Sequence, residues 1–347
     1  MTVAPDNRSA VDRCRAESPT QCTAHTRLYR DGRLVAEGFP VAQVSDHLAQ
    51  PSTVIWLDLL LPSPTDMQVL TEELGLHPLA IEDALHDHQR PKLDRYPDHD
   101  FLAAYAVRAR PGADSLLETG ELAAFFTPRS LITVRKSPLL DLRDLLHRWD
   151  ESAELAASGV AYLAHGLLDH LADGHTAAVA VLDDEAEELE DLLFDEGGRR
   201  GGDLQRRSFV LRKDLTVLRR AVLPMRDVLT TMTRPGSGLV DERMAPYLRD
   251  VDDHVLRAVE SIDGLRDVLA TILDINMTLA SNRLNESVFR LTAWAAILAA
   301  TTAITGYFGQ NIPFPGSGET AGVVTSTALL VLSVGGLYAF FRRKGWL

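Results

Sequence analysis

The sequence predicts an α+β/α membrane protein. A soluble α/β domain with a mixed sheet comes first, and a long helix then continues into the first of two spanning helices. Three observations predict this. Two uncharged runs, residues 291–308 and 322–341, lie near the end of the 347-residue chain. Before them, apolar residues recur every 3.5 positions with no proline between Pro246 and Pro313. Further upstream, short apolar runs of strand length alternate with helical patterns.

Composition narrows the function. There are 35 basic and 49 acidic residues, a formal net charge of -14. That argues against a nucleic-acid partner, which needs a basic face. A mean hydropathy of -0.04 excludes a chain that is mostly embedded, but not one with two spans. No P-loop, Gly-rich dinucleotide turn or nucleophile elbow occurs, so neither an enzyme nor an organic cofactor is expected.

Residues 1–25 lack an apolar run and read as a disordered tail, with Cys14 and Cys22 as unpaired thiols. Residues 26–240 read as a cytosolic α/β domain. Residues 26–36 form a hairpin turning at Asp31-Gly32, and 54–60, 101–108, 121–126 and 131–135 are strands. Helices are predicted over 65–74, 77–85 and 139–156. One long helix, 157–195, ends in DDEAEELEDLLFDE, and after Gly197, Gly198, Gly201 and Gly202 a second runs from 203 to 233. The acidic run reads as a solvated helix face, with cation binding as the other reading. His86, His88 and His254 read as solvated residues rather than a transition-metal site.

Gly236 and Gly238 interrupt the pattern again, and residues 241–290 read as a stalk helix with Pro246 in its first turn. Leu248, Val251, Val255, Ile262, Leu269 and Asn276 lie on its apolar seam. Continued to Tyr307, this rod would be roughly 90 Å long. One subunit cannot bury it, which implies a bundle of identical rods around an axis and hence a channel. The first span is then 291–308, the intervening loop 309–321 and the second span 322–341. The basic end, 342–347, reads RRKGWL; with Arg283 and Arg290 before the first span, it places both termini in the cytosol. Trp294, Tyr307 and Trp346 suit interfacial positions.

Several motifs now carry a resemblance. YLRDVDDH (247–254), SNRLNESV (281–288), Gly-x-Asn at 309–311, the terminal RRKGWL and HPLAIEDALHDHQRPKLDRY (77–96) resemble the CorA family of divalent-cation channels. The resemblance implies a homopentameric funnel in the plasma (inner) membrane that takes up Mg²⁺, with Co²⁺ or Ni²⁺ as further cargo. Membrane potential would drive uptake and internal Mg²⁺ would close the pore. It also implies a selectivity filter at Gly309, Gln310 and Asn311, where the family usually has Gly-Met-Asn. Five Asn311 amides would offer neutral oxygens to an ion that keeps its waters. Asn285, Leu291, Ala295, Ala299, Thr302 and Gly306 match the family's pore face, with Leu291 as a hydrophobic gate; tight helix packing also explains the alanines. Asp83 and Asp250, assisted by Glu82 and Asp253, match regulatory Mg²⁺ ligands between subunits. Gln310 keeps a ZntB-like, proton-coupled Zn²⁺ transporter as the alternative. A non-conducting metal-sensing scaffold is more remote.

Overall fold

The computed structural model describes residues 22–110, 112, 114–194, 201–234, 242–310 and 318–347. Two compact units result, one ending at Ala270 and the other beginning at Thr271. Cys14, Gly197, Gly198, Gly236, Gly238 and Asn311 lie outside the described residues.

The first unit is built on a seven-stranded sheet. Its strands are β1 (Thr23–Arg30), β2 (Arg33–Glu37), β3 (Thr53–Leu60), β4 (Lys92–Arg95), β5 (Asp100–Ala109), β6 (Leu117–Phe126) and β7 (Ser130–Arg135). Their order is β2-β1-β3-β7-β6-β5-β4, with β3–β7 as the only parallel pair in this sheet. The β1–β2 turn has positive φ at both Asp31 and Gly32, 51° and 75°. Those angles match the twist of a two-residue hairpin.

Helices cover both sheet faces. After the short α1 (Val44–Leu48), α2 (Pro64–Leu74) begins with a capping box between Ser63 and Asp66 and ends at a left-handed Gly75. In α3 (Pro78–Leu85), the His77 ring accepts from the Leu79 N–H at 3.2 Å. Met67 and Leu70 of α2 and Ala80 of α3 bury against Leu57, Phe101 and Phe125 of the sheet. On the other face, Trp149 of α4 (Leu142–Glu151) meets Trp56 edge-on, with ring centroids 5.3 Å apart. The short α5 (Ala153–Ala156) leads to α6 (Val160–Phe194). There Gly174 lets the helix approach β5, since a Cβ would stand 2.9 Å from the Val107 carbonyl. The next residue, His175, donates from Nε2 to the Tyr105 carbonyl at 3.0 Å.

A buried ion pair crosses the parallel seam. Arg135 Nη2 lies 2.6 Å from Asp58 Oδ2, and the Thr133 hydroxyl donates to Asp58 Oδ1 at 2.7 Å. A buried carboxylate needs this many donors to offset its lost hydration.

The structure departs from the sequence reading at several points. β1 starts at Thr23, and Cys22 packs partly buried against the core, so the ordered chain begins before residue 26. Burial and nearby Asp66 raise the Cys22 thiol to about 11. β4 was not anticipated, because KLDR shows no apolar alternation. The helix expected over 139–156 starts only at Leu142, where the Asp141 carboxylate caps the Arg143 N–H. The helix expected over 203–233 is two: α7 (Gly201–Val222) and α8 (Met225–Met232). Pro224 lacks the N–H that a continuous helix requires.

The long helix, α9 (Ala245–Phe308), is unbroken over 64 residues. Its seam positions Leu248, Val251, Val255, Ile262 and Leu269 are buried. Arg219 of α7 bonds Asp263 at 2.8 Å, and His165 of α6 meets the Tyr247 ring at 5.6 Å. The part of the rod in the first unit therefore packs on helices of its own chain. In the second unit, α9 is followed by α10 (Thr320–Arg343). Both helices contain segments long and apolar enough to cross a membrane.

Candidate ion pathway and regulatory carboxylates

The membrane segment of α9 has two unlike faces. Ala293 and Ile297 are buried against Phe341 of α10, with Ala296 and Val334 packed beside them. Thr301 and Ile304 continue this face, half-buried. Leu291, Ala295, Ala299, Thr302 and Gly306 are all exposed. At about 100° per residue their mean direction lies about 170° from that of the buried face. Asn285 is exposed as well. One chain thus leaves the whole predicted pore face uncovered, on the side away from its second span.

The chemistry of that face is neutral. Thr302 Oγ1 donates to the Leu298 carbonyl at 2.9 Å. The hydroxyl proton is therefore spent on the backbone, and the oxygen lone pairs stay free to accept from a hydrated cation. Thr301 and Thr305 bond backwards in the same way, to Ile297 and Thr301. At the helix end the Gly309 N–H bonds the Thr305 carbonyl at 2.9 Å. A Cβ at Gly309 would stand 3.0 Å from that same oxygen, tighter than side chains normally tolerate. Gln310 follows, exposed, its N–H 3.4 Å from the Tyr307 carbonyl.

At the opposite end, Gly345 turns the chain with φ 73°, and the Trp346 N–H bonds the Phe341 carbonyl at 3.0 Å. The Trp346 ring stacks on Phe289 at 4.9 Å and on Phe341 at 5.5 Å, both at 14°. This Phe-Trp-Phe stack ties the base of the first span to the second. The sequence reading gave Trp346 only an interfacial place.

The four carboxylates predicted to regulate lie on two helices. Glu82 and Asp83 belong to α3, and Asp250 and Asp253 to α9. Glu82, Asp250 and Asp253 are exposed. Asp83 is not a free carboxylate: Lys92 Nζ of β4 lies 2.6 Å from it and 2.7 Å from Asp94. Burial opposes the ammonium charge, but these hydrogen bonds outweigh it and raise the Lys92 pKa. Asp250 has an imidazole neighbour in His165; burial lowers that histidine's pKa while Asp169 and Asp250 pull it upward. Among the described residues, no three His, Cys, Asp or Glu side chains gather to hold a metal within one chain. His86 and His88 are exposed; the His86 ring bonds the Glu82 carbonyl, and His88 faces Glu121 at 3.6 Å.

Known proteins resemble this arrangement along most of the chain. The profile of a family described as CorA-like Mg²⁺ transporter protein matches residues 51–343. The cobalt/magnesium transport protein CorA of Thermotoga maritima is 27% identical, over 85% of this chain and 84% of its own length. The zinc transport protein ZntB of Cronobacter sakazakii is also 27% identical, over 84% of this chain and 88% of its own. The complete structure of the CorA magnesium transporter from Methanocaldococcus jannaschii superposes with a TM-score of 0.75 at 20% identity. It covers 93% of this chain and 98% of that one.

Proposed function

Because the chain belongs to the CorA-like Mg²⁺ transporter family, we propose that it forms a homopentameric channel admitting Mg²⁺, and also Co²⁺ or Ni²⁺. It would sit in the plasma (inner) membrane with both termini cytosolic. The observation that carries this reading is the neutral face from Leu291 to Gly306, exposed opposite the second span. Five copies would enclose a pore lined by methyls and hydroxyl oxygens, closed at Leu291 by dewetting. Asn285 would ring the cytosolic mouth. The outer mouth would be Gly309, Gln310 and Asn311, with Asn311 amides accepting from the waters of an ion that sheds them reluctantly. The membrane potential suffices as the driving force, about 4.6 kcal/mol for two charges per ~100 mV.

Regulation follows from the carboxylates. Asp83 of one subunit and Asp250 of the next, with Glu82 and Asp253, would share Mg²⁺ and hold the ring symmetric and closed. Carboxylates are hard oxygen donors of the kind this ion selects. Loss of internal Mg²⁺ would leave them to repel one another and loosen the ring.

The test is cation flux into proteoliposomes at fixed potential without a proton gradient, for wild type and Asn311→Ala. Mg²⁺ entry that follows the potential and collapses in the variant, with the pentamer intact, is the expected result. Unchanged flux in the variant removes the Asn311 ring. Gln310 and the likeness to ZntB favour a second reading, proton-coupled Zn²⁺ transport; Zn²⁺ entry that requires a proton gradient would establish it. A pentamer that passes no ion would instead be a sensing scaffold.

A further inference from the structure

A cleft of about 720 Å³ opens in the first unit between the loop after α3, the β5–β6 edge, α7 and α9. Its size falls in the range of small-molecule sites, roughly 300–1,000 Å³. The transport reading assigns it no role. In a chain of net charge -14, the fully charged side chains lining it are all basic: Arg90, Arg219, Arg220 and Arg266. Pro91, Val217, Leu223 and Pro224 give it an apolar wall.

The arginines are arranged rather than scattered. Asp263 Oδ1 accepts from Arg219 Nε at 2.8 Å and from Arg266 Nη1 at 3.2 Å, so one carboxylate oxygen holds two guanidinium groups side by side. Arg90 and Arg220 have no ion-pair partner among the described residues, leaving the cleft with excess positive charge. The loop that carries Arg90 is held in place. His88 has φ 66°, a conformation residues other than glycine avoid. Its N–H donates to Glu121 at 2.7 Å, and Lys136 ties Glu121 to Asp87 and to the His86 carbonyl. Backbone strain that the surroundings enforce marks ligand clamps more often than plain surface.

We propose that this cleft binds a nucleoside polyphosphate. Guanidinium groups hold phosphate oxygens in pairs, with a geometry that lysine cannot reproduce. The apolar wall would take the base and sugar. A divalent cation is the wrong ligand for a site whose free charges are guanidinium.

The experiment is calorimetric titration of the full-length protein in detergent, with divalent ions absent so that chelation contributes no heat. ATP, inorganic triphosphate and adenosine are the probes. Saturable ATP binding is expected, with weaker binding of triphosphate and none of adenosine. Arg90→Glu and Arg220→Glu should each weaken ATP binding by about tenfold, the scale of one charge-assisted contact. Arg212→Glu, on an exposed position of α7 outside the cleft, should leave it unchanged. Melting curves matching wild type would show that the variants are folded. Absence of saturable ATP binding overturns the proposal. So does an equal loss in Arg212→Glu, which would mean diffuse attraction, and so does triphosphate binding as tightly as ATP.

Discussion

Replacing Lys92 by Met tests whether Asp83 belongs to a regulatory Mg²⁺ site. The Lys92 ammonium lies 2.6 Å from Asp83 and 2.7 Å from Asp94, so it would compete with any cation that Asp83 were to bind. The Lys92 and Asp83 side chains are 34% and 28% exposed, so water screens the pair and its worth stays near ~1 kcal/mol. A divalent ion arriving at Asp83 must overcome that attraction and the repulsion of the ammonium itself. Met preserves the length of the side chain and its contact with Phe101, over whose ring Nζ sits at 5.8 Å. Removing the charge alone should therefore lower the Mg²⁺ concentration for half-maximal closure by about fivefold, the equivalent of ~1 kcal/mol. The assay is Mg²⁺-dependent protection of the soluble part from protease, read beside Mg²⁺ inhibition of flux. An unchanged or higher midpoint in the folded variant would remove Asp83 from the regulatory site.

Further outcomes follow from the same structure. Arg135→Met strands the Asp58 carboxylate in the sheet and should cost about 3–5 kcal/mol in denaturant unfolding, whereas adding Asp58→Leu should restore most of it. Trp346→Ala removes two ring stacks and should cost about 1–3 kcal/mol, seen as a lower melting temperature with the seven-stranded sheet unaffected. Burial lowers the His175 pKa from 6.5 to about 4, so the unfolded chain takes up a proton that the folded chain refuses across that window. Stability should thus decline as pH falls from about 6.5 toward about 4, and His175→Asn should flatten that decline in pH-dependent unfolding.

Periodicity and charge made much of the fold readable from sequence. The two uncharged runs and the proline-free seam give the spans and the long helix, because bilayer thickness and helical rise leave little freedom. The hairpin at Asp31-Gly32 was legible for a similarly local reason, since few dipeptides accept positive φ twice. β4 was not legible, because a four-residue edge strand with a single apolar residue, Leu93, is held by its neighbour β5 rather than by its own pattern. The break at Pro224 is local, since the apolar period runs on through it into the next helix and only the missing N–H marks it. In the site, residue spacing put Leu291, Ala295, Ala299, Thr302 and Gly306 on one helix face, but it could not show Lys92 beside Asp83. That contact joins a strand to a helix through backbone geometry with no signature in either segment. The arginines of the basic cleft come from three separate stretches and converge only in three dimensions.

The one parallel pair in the sheet bears on how the chain assembles. β1, β2 and β3 form one antiparallel group and β4 to β7 another, each from neighbouring sequence. They meet only at β3–β7, where Ile55 pairs with Ser130 and Leu60 with Arg135. Each group can zip locally, but the seam between them closes a loop of some seventy residues and should form last. During synthesis, β3 must wait with an open, apolar edge until β7 has left the ribosome. The Arg135–Asp58 bond then latches two independently formed halves, so a chain stalled before residue 135 would be the aggregation-prone species.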